Sequence, residues 1–226
     1  MTLKFRILED RLAKANEPVF LPRAARGLFV LSGGLTVEHA AGNQFQPAGT
    51  AFIADESIVY LAGPEGAHLV RWELAGPDEV HDGRLRSAPK ATSSCRLDCE
   101  ITLDPAFDWL MRVDQVTFPP GTIAPVHMHQ GPGLRYVIEG EIDHVGPGGV
   151  KKVHHPGDVF LENGIDEPVS AIMSETQTTS FLRGLILPRS LKGRSSTRVV
   201  QKQDWDTPKP QVYHVHAERY VELPRG

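Results

Sequence analysis

The sequence predicts an all-β protein in which one antiparallel barrel or sandwich occurs twice. Short apolar or alternating segments are separated by Gly, Pro, Asn and Asp along most of the chain, which is typical of strands joined by tight turns. Segments with helical periodicity are scarce. The segments in one half of the chain also resemble those in the other half in order and spacing.

Each predicted strand is short and bounded by turn-forming residues. In residues 19–76 the predicted strands are VFL, GLFVLSG, LTVEHA, TAFIA, SIVYLAG and HLVRWELAG. In residues 111–188 they are MRVDQVTF, APVHMH, LRYVIEGEIDHV, KKVHH, DVFLE, VSAIMS and TSFLRGLILP. Two further segments, LEDRLAKA (8–15) and DPAFDWLM (104–111), have a spacing that allows a turn or two of helix.

The repeat is visible in glycines and arginines at matching places. Three pairs of residues align: Gly33 with Gly140, Gly49 with Gly157, and Arg71 with Arg183. The offset grows from 107 to 112 residues along the chain, as expected when loops absorb insertions. We therefore predict two copies of one antiparallel unit that closes on itself and so buries its edges.

The composition limits the possible partners. The chain has 226 residues and a net charge of −4, without a basic stripe, so nucleic acid and acidic membrane surfaces are poor candidates. No apolar run approaches the roughly 18–20 residues of a membrane span, and the first residues lack the apolar core of a targeting signal. The expected location is the cytoplasm.

The predicted boundaries divide the chain into three parts. Residues 1–90 form an N-terminal degenerate barrel, residues 91–190 form a C-terminal barrel, and residues 191–226 form a tail. Residues 76–94 are polar, charged and rich in Pro and Gly, which is typical of a linker. The segment VYHVHAERYVEL (212–223) alternates and is predicted to be a terminal strand.

The segment GTIAPVHMHQGPGLRYVIEGEI (121–142) carries a recognisable motif. It resembles the first motif of the cupin family, which is Gly, five residues, His-x-His, three or four residues, Glu, six residues, Gly. Gly121, His127, His129 and Gly140 occupy their places in this motif, but Gly133 stands where the family has its acid.

The segment HPGDVFLENGIDEPVSA (155–171) resembles the second cupin motif. With a gap of one residue, the histidine of that motif falls on Glu167 and its asparagine falls on Ala171. The resemblance covers residues 110–188 and, through the repeat, residues 17–75. It implies a bicupin, with two cupin-like double-stranded β-helix (jelly-roll) barrels in tandem.

The two histidines are candidate metal ligands. On a strand His127 and His129 point to the same face, here into the barrel, and imidazoles bind Fe, Mn, Ni, Zn or Cu. Glu167 is the best candidate for a third ligand. The alternative is that the His-x-His pair is structural. In the first half the matching positions are Phe20 and Pro22, so a metal is expected in the second half alone.

Other polar residues are assigned from the strand pattern. Arg135 lies two residues after Gly133 and is predicted to face the same pocket, where a guanidinium suits a carboxylate or phosphate of the substrate; the alternative is a surface arginine. His154 and His155 precede a Pro-Gly turn and are expected to be exposed. His214 and His216 repeat the ligand spacing outside any family motif.

Three functions are compatible with these features. The first is a metal-dependent bicupin enzyme of dioxygenase, isomerase or decarboxylase type, acting on a small and preferably anionic organic molecule. The second is a cupin that binds or senses a small ligand without turnover and has lost part of its metal site. The third is a structural or partner-binding protein without a formed pocket behind His127 and His129. The edge strands favour a homodimer.

Overall fold

The computed structural model describes residues 1–14, 17–79, 81–85 and 90–224. Within these ranges the chain forms seventeen β-strands, three short 3-10 turns and no α-helix. The predicted fold class, all-β with cupin-like barrels in tandem, is confirmed. Among the described residues, no helix has the length and apolar character that crossing a membrane requires.

The strands cover most of the chain and are numbered in chain order. They are β1 (Thr2–Leu12), β2 (Val19–Leu21), β3 (Arg26–His39), β4 (Gly42–Pro47), β5 (Ala51–Ala54), β6 (Ile58–Ala75), β7 (Ala91–Thr102), β8 (Trp109–Phe118), β9 (Ile123–His129), β10 (Gly133–Glu139), β11 (Ile142–Val145), β12 (Lys151–His154), β13 (Val159–Glu162), β14 (Val169–Met173), β15 (Thr179–Pro188), β16 (Thr197–Val199) and β17 (Val212–Val221). The 3-10 turns are Pro147–Gly149, Arg189–Leu191 and Lys202–Asp204.

The chain divides into two compact units. Unit 1 contains Met1–Val113 and His216–Gly226, and unit 2 contains Asp114–Val215. This division differs from the predicted boundaries after residues 90 and 190. β7 pairs with β1 from Ala91 to Thr102 and therefore belongs to unit 1. In the predicted linker 76–94, residues 91–94 lie in β7, and residues 80 and 86–89 lie outside the described ranges.

Unit 1 is built on a seven-stranded sheet. Its order is β4-β3-β6-β1-β7, with β2 paired to β6 and β5 paired to β3. β1 lies between β6 and β7, so its backbone is hydrogen-bonded on both sides. Residues 8–12, for which a helical turn was a possibility, are therefore strand; Ala15 lies outside the described residues. In the other possible helical segment, 104–111, residues 105–107 form a turn and β8 begins at Trp109, so no helix forms there.

Unit 2 combines two five-stranded sheets, β13-β10-β15-β8-β17 and β12-β11-β14-β9-β16. β8 and β17 belong to unit 2 only in part, because the division between the units falls within both strands. Apolar side chains from both sheets meet in one core: Val116, Phe118, Val137, Ile142, Phe160, Ala171, Met173 and Phe181. The terminal strand predicted in residues 212–223 is observed as β17.

The predicted repeat is reproduced in the backbone geometry. The amide of Gly49 donates to Val30 O at 2.8 Å, and the amide of Gly157 donates to Val137 O at 2.8 Å. Gly33 and Gly140 have φ angles of 71° and 72°, and a Cβ atom would overlap a backbone carbonyl oxygen at both positions, that of Gly66 and that of Thr178. Only glycine tolerates both conditions.

Candidate metal centre

Two histidines at the end of β9 face the interior of unit 2. β9 lies between β14, where Val169 pairs with His127, and β16, where Thr197 pairs with His129. The strand alternation places both imidazoles on the inner side, as predicted. The ring centroids are 5.1 Å apart. His129 is buried and His127 is half-buried.

The third member of the group is Glu162 at the end of β13. Phe160 and Glu162 are the buried residues of this strand, so they share its inner face. The His129 Nε2 atom lies 2.8 Å from Glu162 Oε2. Within the described ranges, His127, His129 and Glu162 are the one group of three metal-ligating side chains, with ligand atoms all within 4.8 Å of one another.

Glu162 replaces Glu167, the carboxylate predicted from the motif, and this is a correction. Glu167 lies on a turn, where its amide bonds Gly164 O at 3.3 Å and the preceding Asp166 has a positive φ of 65°. Its carboxylate accepts a hydrogen bond from Asn163 Nδ2 at 3.0 Å in an exposed position. The turn therefore keeps Glu167 out of the group that contains the two histidines.

Arg135 faces the interior from β10 and is fully buried. Its Nη2 atom donates to Glu162 Oε2. The neighbouring Arg183 on β15 forms a two-fold ion pair with Asp114, with N–O distances of 2.7 and 2.8 Å, and its guanidinium carbon lies 5.3 Å from the centre of the Tyr213 ring. Both guanidiniums therefore have acid partners. The role of Arg135 as a contact for a substrate anion stays a prediction.

The surroundings favour the protonation states that metal ligands need. Burial lowers the pKa of His127, and it lowers the pKa of His129 to about 4, against the opposing effect of Glu162. Burial alone would raise the pKa of Glu162, but Arg135 and His129 hold it well below its usual range. At neutral pH the imidazoles are therefore neutral and the carboxylate is ionised, as metal binding requires.

The donor atoms also fit a transition-metal ion. The His127 Nδ1 atom lies 2.7 Å from the carbonyl oxygen of Pro125; donation to this carbonyl leaves Nε2 with a free lone pair, which is the usual arrangement of a metal-binding histidine. The His129 Nδ1 atom is buried without a hydrogen-bond partner among the described atoms. Two imidazoles and a carboxylate suit Fe, Mn, Ni, Zn or Cu.

Leu185 occupies the place of the acid that is missing from the first motif. Gly133 pairs with Leu185 across β10 and β15. A Cβ atom added to Gly133 would overlap Leu185 Cδ2 and lie 2.8 Å from Arg135 Nη1. Leu185 is fully buried, so an acid at position 133 has no room unless the leucine moves. The packing of Leu185 against Gly133 therefore leaves no space for the acid of the cupin motif.

The group of ligands lines a cavity of about 150 Å³ in unit 2. Arg135 and Arg183 share the lining, and the deeper walls are apolar: Val116, Phe118, Ala124, Ile142, Ala171, Met173 and Phe181. A larger cavity of about 630 Å³ lies in unit 1. No group of three metal ligands was found there among the described residues, so we place the candidate site in unit 2.

Two further histidines lie near the site and were not predicted to do so. His144 Nε2 lies 3.4 Å from Glu162 Oε1. His154, expected to be exposed, is buried and stacks on Phe160 with ring centroids 4.2 Å apart; His155 is exposed as expected. β11 alternates, so its pattern indicates that His144 faces inward together with Ile142. β12 does not alternate in burial, and His154 faces inward because it pairs with Ile142.

The matching strand of unit 1 presents apolar residues to its interior. In β2 the buried residues are Val19 and Leu21, whereas Phe20, aligned with His127, is 67% exposed. The inner positions thus differ by one residue from the alignment. His216, from the other predicted His-x-His pair, contacts the ring of Phe29 edge-on at 4.8 Å.

Comparison with known proteins supports the fold. The Cupin domain model matches residues 114–165. An oxalate decarboxylase from Lactobacillus farciminis, in complex with formate, is 12% identical with a TM-score of 0.62, covering 90% of this chain and 82% of its own. Bacillus subtilis oxalate decarboxylase, which has Mn(II) centres, is 12% identical with a TM-score of 0.58, covering 92% and 80%.

A third similar structure is AerE from Microcystis aeruginosa. It is 15% identical with a TM-score of 0.55, covering 81% of this chain and 87% of its own. Comparison with curated protein sequences gives no match. The matched domain and the all-β tandem fold agree: residues 114–165 match the Cupin domain model, and the fold is similar to that of oxalate decarboxylase over 90% of this chain.

Proposed function

We propose that the protein is a metal-dependent cupin enzyme that acts on a small organic molecule in the cavity of unit 2. The observation that carries this proposal is the group of His127, His129 and Glu162, which is buried, correctly ionised and open to a cavity. A divalent Fe, Mn, Ni, Zn or Cu ion held there would polarise a carbonyl or enol, or activate dioxygen. Decarboxylase, dioxygenase and isomerase chemistry all fit such a site.

The side chains of the chain have separable tasks in this proposal. Pro125 O orients His127, so that Nε2 is available. Arg135 stays protonated at neutral pH, although burial lowers its pKa to about 10, and its bond to Glu162 orients the carboxylate. The apolar walls exclude water and so strengthen every electrostatic interaction inside the cavity.

Metal analysis tests the proposal directly. Protein purified without an affinity tag is expected to hold about one transition-metal ion per chain. His127→Ala and Glu162→Gln are each expected to lower the metal content at least tenfold, because each removes one of three ligands. Glu167→Gln is the matched control and is expected to keep the metal. Metal far below one ion per chain, unchanged in His127→Ala, would contradict the proposal.

A second candidate function is ligand binding without turnover. One observation favours it: Glu162 is already engaged by Arg135 and His129, so the interior carries charge pairs that persist without an ion. A thermal-shift series with small acids, with and without added Mn(II), separates the two functions. Stabilisation that needs no metal, together with an absence of turnover, would favour the binding function.

A further inference from the structure

The interior of unit 2 is divided into a polar layer and an apolar layer. The polar layer contains Asp114, His127, His129, Arg135, Glu162 and Arg183. Moving two residues along the same strands, which keeps the inner face, gives Val116 from Asp114, Val137 from Arg135, Phe160 from Glu162 and Phe181 from Arg183. Each of these four strands thus changes from polar to apolar within two residues, although Arg135 on β10 lies opposite Phe160 on β13.

The charges of the polar layer are compensated in pairs. Arg135 is paired with Glu162, and Arg183 is paired with Asp114. At the rim, Lys209 lines the same cavity and is exposed. Of the cationic side chains described in the cavity lining, Lys209 is the one without an acid partner. The cavity therefore holds one uncompensated positive charge, apart from any metal.

The size and the apolar layer restrict the ligand further. A cavity of about 150 Å³ is smaller than the 300–1,000 Å³ of typical pockets for drug-sized ligands, so it suits a small molecule. A ligand that fills it must place part of its surface against Phe118, Met173 and Phe181. A second carboxylate there would be buried without a partner, because both arginines are already engaged, and burial of an unpaired charge is strongly unfavourable.

We propose that the ligand of this cavity is a small monocarboxylate with a compact apolar body, and not a dicarboxylate such as oxalate. Its carboxylate lies in the polar layer, attracted by Lys209 and by the ion, and its apolar body lies in the apolar layer. The part of this assignment that involves the ion rests on the proposed function. The contributions of Lys209 and of the apolar layer do not.

Calorimetric titration of the full chain, loaded with Mn(II) or stripped of metal, tests the proposal. The probes are 3-methylbutanoate, its neutral analogue 3-methylbutan-1-ol, and oxalate. We expect 3-methylbutanoate to bind the loaded protein at least tenfold more tightly than either of the others. Oxalate binding as tight as that of 3-methylbutanoate would overturn the proposal.

Two variants assign the contacts. Lys209→Met is expected to weaken binding of 3-methylbutanoate about tenfold and to leave 3-methylbutan-1-ol unaffected; Lys202→Met, an exposed lysine outside the cavity lining, is the matched control. Ala124→Leu narrows the apolar layer, so this variant should no longer bind 3-methylbutanoate but should still bind acetate. The assignment would be overturned if Lys209→Met and Lys202→Met weakened binding of 3-methylbutanoate equally. It would also be overturned if Ala124→Leu weakened binding of acetate as much as binding of 3-methylbutanoate.

The same experiment separates this proposal from the proposed function. Monocarboxylate binding that depends on Lys209 but persists in stripped protein, with no metal retained after purification, would refute metal dependence and support the ligand class. A bound metal together with a preference for oxalate would refute the ligand class and support metal dependence.

Discussion

At the scale of single residues, protonation of His154 makes the free energy of unfolding depend on pH. His154 is buried, and both of its ring nitrogens lack hydrogen-bond partners among the described atoms. Burial and the nearby Lys152 and His144 lower its pKa to about 4. The unfolded chain, with an ordinary value near 6.5, therefore takes up the proton first, so the free energy of unfolding falls as the pH drops from about 6.5 to 4.

Replacement of this histidine should weaken the acid sensitivity. Since one pKa unit corresponds to about 1.4 kcal/mol, His154→Leu is expected to reduce the loss of unfolding free energy between pH 7.5 and pH 5 by about 2 kcal/mol. Denaturant unfolding at the two pH values measures this loss. His155→Leu, at the exposed neighbouring position, is the control, and parallel losses in wild type and His154→Leu would refute the explanation.

The orientation of side chains on strands could be predicted from the two-residue period of a strand. The orientation of Glu167, which lies on a turn, could not. His127, His129 and Arg135 follow from alternation along β9 and β10. Glu162 could have been found in the same way, because it lies two residues after Phe160 on one short strand. The prediction of Glu167 depended on aligning the second cupin motif with a gap of one residue. Side chains on a turn such as residues 164–167 follow no regular period, so their direction cannot be read from the sequence.

At the scale of elements, the pairing of β10 with β15 decides what position 133 can hold. Gly133 leaves room for the fully buried Leu185. Gly133→Ala is therefore expected to destabilise the protein by about 1–3 kcal/mol through overpacking. Leu185→Ala is expected to cost about 2–5 kcal/mol through the cavity it leaves.

The two changes should compensate each other in part. In the double variant the new methyl group enters the space that the leucine vacates, so the cost is expected to fall below the sum of the single changes by about 1 kcal/mol or more. Denaturant unfolding of the four proteins in the cycle measures this coupling. Strictly additive costs would show that Leu185 does not fill the place of the acid.

Most strands were predicted from the sequence, but β1, β4, β7 and β16 were not. The run LEDRL allows a helical turn by its spacing, and the central place of the strand in the sheet overrides that local preference. The first residues of β7 lie in the predicted linker 76–94, which is polar, charged and rich in Pro and Gly. The assignment of β7 depends on pairing with β1, a contact between residues about ninety positions apart in the chain.

At the scale of the whole molecule, the duplication preserves one buried ion pair in both units. Arg71 bonds Asp10 at 2.8 Å in unit 1, and Arg183 bonds Asp114 at 2.7 Å in unit 2. The two arginines were aligned by the repeat. The metal ligands are not duplicated, since Val19 and Leu21 take the inner positions of β2. The Arg–Asp ion pair is therefore a structural feature of both units, whereas the candidate metal ligands occur in unit 2.

The same substitution in the two copies should have different effects on stability and on the metal. Asp114→Asn leaves the buried guanidinium of Arg183 without its acid partner, at a cost of about 3–5 kcal/mol. Asp10→Asn should cost less, because Arg71 keeps an ion pair with Glu73 at 2.7 Å. Asp114→Asn should also weaken metal binding, because the charge of Arg183 acts on His127 and His129. Asp10→Asn should not.

Competition with a chromophoric chelator measures the metal affinity of both variants. Equal changes in affinity would show that the effect of Asp114 comes from general loss of structure and not from local charge.

The homodimer expected from the edge strands stays a prediction at this scale.

Strand β16 limits how short a fragment of this chain can be if it is to keep the complete cavity. It covers the free edge of β9 beside both histidines, while Arg183, Lys209 and Tyr213 enter the cavity from positions beyond residue 165, where the family match ends. A fragment cut to the matched domain would carry the recognisable motif with an open flank and half of its binding surface. The cavity therefore extends beyond the part of the chain that the family model matches.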